Sequence, residues 1–424
     1  MRVLVLGSGG REHALVWKVA ESPQLTRLLC APGNPGTAQL AENRVVAAED
    51  PQAVVALARD ERIDLVVVGP ELPLVRGVAD ALRAAGVAVF GPDAAAARLE
   101  GSKAFAKEVM AEAGVRTAAG RTFTSVREAE AWAAARGSVV VKADGLAAGK
   151  GVIVARDPAA AVEAVRSLAS LGEAGRTLVL EEVLEGEEVS VIALCDGTRY
   201  VLLPPAQDHK RLLDGDEGPN TGGMGAYCPA PVLDGQGLEW VGTEVIAPVL
   251  RVMAARGTPF RGALYAGLML TPSGPAVLEF NARFGDPETQ VLAPQLGEDL
   301  LPWLEACARG RLEPRPLRLL PGATVGVVLA SAGYPGSLTP GTPIDGVERI
   351  AGSCRVFHAG TARKEGRLVT SGGRVLTVCA RGPNLAEARA NAYGAVSRIH
   401  FEGMHYRRDI GARGLRPSAS TGVY

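Results

Sequence analysis

Lysine is scarce in this chain. Seven residues, Lys18, Lys103, Lys107, Lys142, Lys150, Lys210 and Lys364, stand against thirty-eight arginines. Cysteine offers no scaffold either: Cys30, Cys195, Cys228, Cys307, Cys354 and Cys379 form no CxxC pair, and the five histidines are equally dispersed. That pattern excludes a disulfide framework and a zinc finger and fits a reducing cytoplasm. An excess of charge of one sign is missing too. Lysine plus arginine number 45 against 46 acids, a net charge of −1, so there is no global basic field for a nucleic acid backbone and any anion site must be local. No long apolar run exists. The longest stretch without a charge, 319–344, carries five glycines and four prolines and cannot span a membrane. The N-terminal MRVLVLGSGG is strand-length and ends in glycines, unlike an export signal.

What is present is an ordinary globular composition, 47% hydrophobic and 21% charged over 424 residues. At about 150 residues per domain this suggests roughly three domains. The expected class is mixed α/β and α+β. A doubly wound parallel sheet is expected over 1–102, a central domain over 103–316 with a small α+β subdomain at about 122–190, and a mostly β domain with one helix over 317–424. In the first part VLVLG, RLLCA, DLVVVG and GVAVFG read as buried parallel strands, with helices at Arg11–Glu21, Asp50–Glu61 and Val75–Ala85 between them. Ligands of such a sheet lie beyond the carboxyl ends of its strands, here the Gly- and Pro-rich loops GSGGREHA, APGNPGT, GPELPL and FGPD.

Ser102 reads as the N-cap of a helix that stops at Gly114 and puts Lys103 and Lys107 on one face. The order then expected is helix Val126–Ala135, strand Ser138–Lys142, a glycine loop, strand Val152–Ala155, helix Pro158–Leu171 and strand Thr177–Glu182. A long loop over Pro205–Pro231 follows, then a helix over Leu238–Arg256 and strands at Leu264–Leu270 and Ala276–Asn281. The last helix is capped by Asn384 and lays down Leu385, Ala388, Ala392, Val396 and Ile399 as its apolar stripe; the tail from Arg413 is expected to fray.

Four motifs carry chemistry. GSGGREHA has Gly7 and Gly9 at the first and third positions of the dinucleotide fingerprint, but the sixth is Glu12, so a single phosphate on a helix N-terminus is the stronger reading. VVVKADGLAAGKGVIV delivers Lys142 on a strand into a hairpin tip with Gly145, Gly149, Lys150 and Gly151, where free amides and a point charge suit a triphosphate. VLEEVLEGEEVS places Glu181, Glu182 and Val183 at a strand end, able to face an adenine edge, with Glu187 or Glu188 available to ribose hydroxyls. VLEFNARFGDPETQ puts Glu279 and Asn281 on one strand face, two hard oxygen donors for Mg²⁺, with Arg283 continuing that face and Phe280 and Phe284 as buried alternates. A divalent cation and a guanidinium aimed at one point suit phosphoryl transfer to a carboxylate.

Together these motifs resemble the ATP-grasp superfamily. Within it, GGREHALVWK, APGNPGT, VGPELPLV, LEGSKAF, KADGLAAGKGV, QDHKR, GPNTGGMGAY, EFNARFGDPETQ, VFHAGT and GGRVL resemble, in order, segments of the phosphoribosylamine–glycine ligase family. The resemblance runs from Met1 to about Ile410. It implies a central ATP-grasp domain with a small lid and a step of purine biosynthesis. ATP would phosphorylate glycine, and the amine of 5-phosphoribosylamine would attack the glycyl phosphate. It further implies that Glu279 and Asn281 hold Mg²⁺ or Mn²⁺, and that Lys103, Lys142, Gly149, Lys150 and Gly151 meet the ATP phosphates. Glu181, Glu182, Val183 and Glu188 would meet the nucleoside. Arg283 and Asp286 would hold glycine, with Gly9, Gly10, Asp208, Lys210, Gly223 and Met224 around the amine substrate, and Arg283, Lys142 and Asp208 nearest the chemistry. Many superfamily members carry a second acidic metal ligand on the preceding strand; here that strand, YAGLML, has none. His209 is the nearest candidate base. The partners implied are small molecules acting on a monomer or weak homodimer in the cytoplasm. Alternatives are another ATP-grasp ligase or a biotin-independent carboxylase with a different N-terminal pocket. A regulatory nucleotide binder is disfavoured by Glu279, Asn281 and Arg283, and a dehydrogenase by the broken fingerprint.

Overall fold

Valine and leucine runs without polar alternation require burial on both faces. In the computed structural model, which describes residues 1–147 and 151–416, the N-terminal segment meets that requirement with a five-stranded parallel sheet. Its order is Glu42–Asn43, Arg27–Pro32, Arg2–Gly7, Leu65–Val68 and Ala88–Phe90. The chain leaves the central strand in opposite directions, so the loops after Gly7, Pro32 and Val68 open on a common crevice. Helices Gly10–Ala20 and Pro51–Asp60 lie where the pattern puts them, the second capped by Asp50. The helix expected from Val75 is instead divided into Glu71–Val75 and Val78–Ala84, because Gly77 adopts φ +80° between them, a conformation that glycine enters without a Cβ clash.

The subdomain expected after Thr122 is a four-stranded antiparallel sheet, Gly120–Phe123, Leu178–Glu181, Val139–Ala143, Val152–Ala155, backed by helices Val126–Arg136 and Pro158–Ala169. It has its own core of Val139, Val141, Ala161, Val165, Leu168 and Leu180. A second antiparallel sheet follows, Tyr200–Leu202, Glu187–Asp196, Arg261–Thr271, Gly274–Asn281, linked to the subdomain by a bridge from Thr117 to Val277. In the last pair the register passes from Gly267 opposite Glu279 to Leu268 opposite Val277, so Leu278 is bulged out of the ladder.

Two expectations are corrected here. Pro205–Pro231 is no loop: it contains the strands Gln207–Asp208, Arg211–Leu213, Glu217–Asn220 and Gly225–Cys228. Their short, Gly-rich sequences hide the alternation; Arg211–Leu213 and Glu217–Asn220 pair with each other, while Gly225–Cys228 finds a distant partner in Ala323–Ala330. Gln207–Asp208 and Gly225–Cys228 join the C-terminal sheet, whose order is Gln207–Asp208, Gly225–Cys228, Ala323–Ala330, Arg374–Gly382, Cys354–His358. The helix expected over Leu238–Arg256 is Gly235–Val241 and Ala247–Ala255, joined by a wider turn at Gly242–Ile246 just before Pro248, which cannot donate a helical hydrogen bond. Helix Leu385–Val396 packs on the C-terminal sheet with Asn384 Oδ1 accepting from Glu387 N–H at 2.9 Å. Gly149, Lys150 and the tail beyond Arg416 lie outside the described residues. Among the described residues no helix is long and apolar enough to cross a membrane.

Candidate active site

Strand Gly274–Asn281 ends in the site. Beyond the bulge, Phe280 is buried while Glu279 and Asn281 on either side of it are half-buried and share the open face. The bulge has a second use: the Leu278 carbonyl accepts from Lys142 Nζ at 2.9 Å, bringing the neighbouring sheet's lysine onto this strand. Lys142 also lies 2.6 Å from Glu181 Oε2, and Lys107 lies 3.0 Å from the other oxygen of the same carboxylate. Lys210 sits 2.8 Å from Glu188 and 3.9 Å from Glu279. Although burial works against ionisation of Glu279, the surrounding Lys210, Lys142, Lys103 and Arg283 hold its carboxyl below the usual range. Four cations thus gather around one carboxylate. Among the described residues no group of three or more His, Cys, Asp or Glu side chains converges as a metal cage. Glu279 and Asn281 alone supply two hard oxygen donors, a set that fits an Mg²⁺ whose other ligands are phosphate oxygens and water.

Arg283 lies past the strand end, 2.9 Å from Glu100 Oε1 and 3.3 Å from Glu71 Oε2. The second contact is off line, leaving the buried Nε without a hydrogen-bond partner. Burial opposes its charge, but Glu100 and Glu71 outweigh it and raise the guanidinium's pKa. Glu100 also accepts the Ala282 N–H at 2.8 Å, so the N-terminal domain fixes the turn after Asn281.

A cavity of about 440 Å³ opens beside this cluster, at the carboxyl ends of the parallel strands. Ser8 and Gly9 line one side, Pro32, Gly33 and Asn34 a second, Asp286 the floor, and Ala359, Gly360, Thr361, Ser371 and Arg374 of the C-terminal domain the far wall. Gly9 caps helix Gly10–Ala20, its N–H donating to Glu12 Oε2 at 2.6 Å. A Cβ there would lie 2.7 Å from Glu12 and 3.6 Å from Asp286, and one on Gly10 would lie 2.7 Å from Gln290 Nε2, so both positions demand close backbone approach. Asp286 pairs with Arg374 at 3.0 Å and accepts from Gln290 Nε2 at 2.7 Å. Arg374 in turn donates to the carbonyls of Asp286 and Gly222. Gly223 turns at φ +108° against Pro287.

The wall is pinned from behind. His13 Nδ1 accepts the His358 N–H at 2.8 Å, His358 Nδ1 lies 3.1 Å from Thr361 Oγ1, and Asn34 Nδ2 donates to the carbonyls of Ser8 and His358, both at 2.8 Å. Burial pushes His13 down to about 3, helped by His358, and His358 down to about 4, helped by Arg363. A separate cavity of about 160 Å³ lies behind Trp17, Thr324 and Arg355, away from these groups.

The structure therefore brings Lys103, Lys142, Lys210, Glu188, Glu279, Asn281 and Arg283 into one cluster, and Gly9, Gly10, Gly223 and Asp286 to the adjoining cavity. Asp208, buried beside Lys210, is pushed up to about 7 by desolvation and by Glu288, Glu188 and Glu279, against the pull of Lys210. Other positions differ from the expectation. The Met224 side chain is fully buried, so only its backbone, whose N–H donates to the His209 carbonyl and whose carbonyl accepts from Val328, belongs to the wall. Glu181 is buried with its carboxylate between two lysines. Glu182 is exposed and ties both backbone groups of Ala119 through its own N–H and Oε1. Val183 is half-buried just beyond the strand. Gly151 is buried with its carbonyl accepting from Ala143, closing the hairpin base. His209 turns away from the cavity, its Nε2 accepting from Gly411 N–H at 3.2 Å; burial, with Arg413 and Arg407, lowers it to about 3, so it is no base for this site. Asn34, Thr361, Ser371, Arg374 and Glu100 were not singled out by the sequence. APGNPGT, VFHAGT and GGRVL stood in it as loop-rich segments, but which loops meet is set by the domain contacts.

Residues 1–100 match the family described as phosphoribosylglycinamide synthetase, N domain; 101–289 match its ATP-grasp (A) domain and 324–413 its C domain. A phosphoribosylamine–glycine ligase of Rhizobium meliloti is 51% identical over 418 residues, 98% of this chain and 99% of that protein. One from Synechocystis is 51% identical over 421 residues, 98% of this chain and all of the other. Among solved structures, phosphoribosylamine–glycine ligase of Thermotoga maritima superposes with a TM-score of 0.84 at 36% identity, covering 97% of this chain and 100% of that one. The biotin carboxylase domain of Hydrogenobacter thermophilus 2-oxoglutarate carboxylase, solved with MgADP and bicarbonate, shares the fold at 20% identity, with a TM-score of 0.75 and coverage of 96% and 91%.

Proposed function

The chain belongs to the phosphoribosylglycinamide synthetase family, and from that premise we propose that the cluster and the cavity are the two halves of one ligase site. The reaction is the ATP-dependent joining of glycine to 5-phosphoribosylamine in purine biosynthesis, releasing ADP and phosphate. The single observation that carries it is the gathering of Lys103, Lys142, Lys210 and Arg283 around Glu279. Glu181, Glu188, Glu100 and Glu71 pair with these cations and hold them side by side, so that a triphosphate would meet donors already in place.

Lys103 and Lys142 draw charge from the ATP phosphates as point donors. Glu182 and Val183 lie at the nucleoside end, with Glu181 orienting Lys107 and Lys142 and Glu188 orienting Lys210. Glu279 and Asn281 would hold Mg²⁺, which would supply positive charge to the phosphate oxygens. Arg283, its guanidinium held by Glu100 and Glu71, would orient the glycine carboxylate toward the terminal phosphoryl group. A glycine carboxylate oxygen attacks that phosphorus as the bond to ADP breaks, giving the acyl phosphate. The amine substrate lies in the cavity, its phosphate against the backbone N–H groups at the start of helix Gly10–Ala20 and the Thr361 and Ser371 hydroxyls. Its amine then attacks the activated carbonyl, expelling phosphate. Asp208, buried beside Lys210, would accept the proton the amine sheds.

The test is ADP release measured with each substrate omitted in turn. Dependence on both glycine and 5-phosphoribosylamine is expected; ADP release indifferent to either would remove the assignment.

A further inference from the structure

The first turn of helix Lys103–Ala113 presents the N–H groups of Lys103, Ala104 and Phe105 with no partner inside the helix. Two of the three are taken by one residue from elsewhere in the chain. Asp144 Oδ1 accepts the Ala104 N–H at 2.7 Å, and the Asp144 carbonyl accepts the Lys103 N–H at 3.3 Å. The third, Phe105 N–H, goes to Ser102 Oγ at 3.1 Å, and that hydroxyl lies 3.0 and 3.1 Å from the two Asp144 carboxylate oxygens. On its other side Asp144 N–H donates to the Thr177 carbonyl at 3.0 Å, just before strand Leu178–Glu181. Asp144 follows strand Val139–Ala143, two positions past Lys142.

This geometry answers an electrostatic problem. Lys103 and Lys142 come from different elements, and two ammonium groups facing one region repel each other across a partly dry interior. Burial depresses the Lys103 ammonium's pKa, and the charge of Lys142 depresses it further against the opposing pull of Glu279 and Asp144. Without a rigid joint the lower-energy arrangement is to let the helix and the strand drift apart. A carboxylate at a helix N-terminus is also favoured by the helix dipole, so the joint is stable where it sits.

We propose that Asp144 is a positioning residue that locks the Lys103 helix to the Lys142 strand, so that both ammonium groups address one polyanion. The proposal rests on the nucleotide reading given above. Asp144 touches no reacting atom; it acts through the two lysines.

The test uses the full chain with Asp144→Ala and Asp144→Asn. The asparagine oxygen still accepts the Ala104 N–H, whereas alanine removes the acceptor. Asp144→Ala should raise the KM for ATP on the order of 10-fold, since misplacing a substrate-orienting group by a fraction of an ångström is felt strongly, while the KM for glycine and the circular dichroism spectrum stay those of wild type. Asp144→Asn should recover the ATP KM to within about threefold of wild type, because the helix-capping acceptor is kept. An unchanged ATP KM in Asp144→Ala, an Asp144→Asn as impaired as Asp144→Ala, or ATP and glycine constants worsening together with loss of helical signal would each overturn the positioning role. The wild-type protein in the same assay separates the two layers. If it releases no ADP, the nucleotide reading falls and takes this role with it; if it is active and Asp144→Ala matches it, only the positioning role falls.

Discussion

The nucleotide half of the site and the amine half are built by different means. In the first, the proposed recognition rests on side chains of exceptional type for this sequence: three of seven lysines, an arginine and a Glu-x-Asn strand end, with Lys103, Lys142, Glu279 and Asn281 on regular elements and Lys210 and Arg283 just past strand ends. In the second, the cavity is shaped by backbone, with Gly9, Gly33, Gly360 and Pro32 around it, and its polar groups come from two N-terminal loops, from Asp286 and from the C-terminal domain, whose Thr361 wall is pinned by His13 and His358. The contrast teaches that a site for dense negative charge can be encoded locally by charge, while a site for shape depends on which loops the packing brings together.

Substitutions that strike one half and spare the other test that contrast. The largest effect is expected at Glu279. Glu279→Gln should lower turnover on the order of 10²-fold or more, as removal of a charge partner acting in the transition state does. Near-wild-type turnover would take Glu279 out of metal binding. Next comes Lys142→Arg, which keeps the charge but not the point geometry. It should weaken ATP use by about 10-fold or more with glycine affinity little changed, since a planar fork does not replace a compact ammonium beside Glu181 and the Leu278 carbonyl. Arginine serving equally well would make the scarcity of lysine an accident of composition.

Arg374→Ala addresses the other half. It removes the partner of Asp286 and a donor to the Gly222 and Asp286 carbonyls. Losing a charged hydrogen-bond partner costs about 1.5–3 kcal/mol, so the KM for the amine substrate should rise roughly 10- to 100-fold, and the KM for ATP should not move. Equal changes in both would show that the halves are not separable.

The smallest effect is on stability. His13, His358 and His209 are held neutral, at about 3, 4 and 3. Because their folded values lie below the unfolded value, the stability they contribute is complete above about pH 6.5 and is lost as pH falls toward 4, by up to about 1.4 kcal/mol per pH unit for each. Urea midpoints measured between pH 7 and pH 4 should therefore decline, and His358→Asn should flatten the slope. An identical slope in that variant would mean that the His358 imidazole is not held neutral in the folded protein.

The main strands of the N-terminal sheet and of the 120–181 subdomain were legible because apolar runs mark them locally, as the cap Ser102 marks helix Lys103–Ala113. The region from Pro205 to Pro231 was not, because its strands are two to four residues long and Gly-rich, and Gly225–Cys228, which ties Gln207–Asp208 into the sheet, pairs with Ala323–Ala330, a hundred residues away in sequence. The Leu278 bulge is equally invisible in VLEFN, yet it is what frees the carbonyl that Lys142 takes.

Residue type and spacing by themselves determined the chemistry on offer here, because charge, ligand hardness and strand alternation are properties a few adjacent residues carry alone. Only the tertiary structure decided that Asp144 joins two lysines, that Arg374 closes on Asp286 and that His209 faces inward. Each of those depends on distances between segments far apart in the chain, which are fixed when the cores pack and not before.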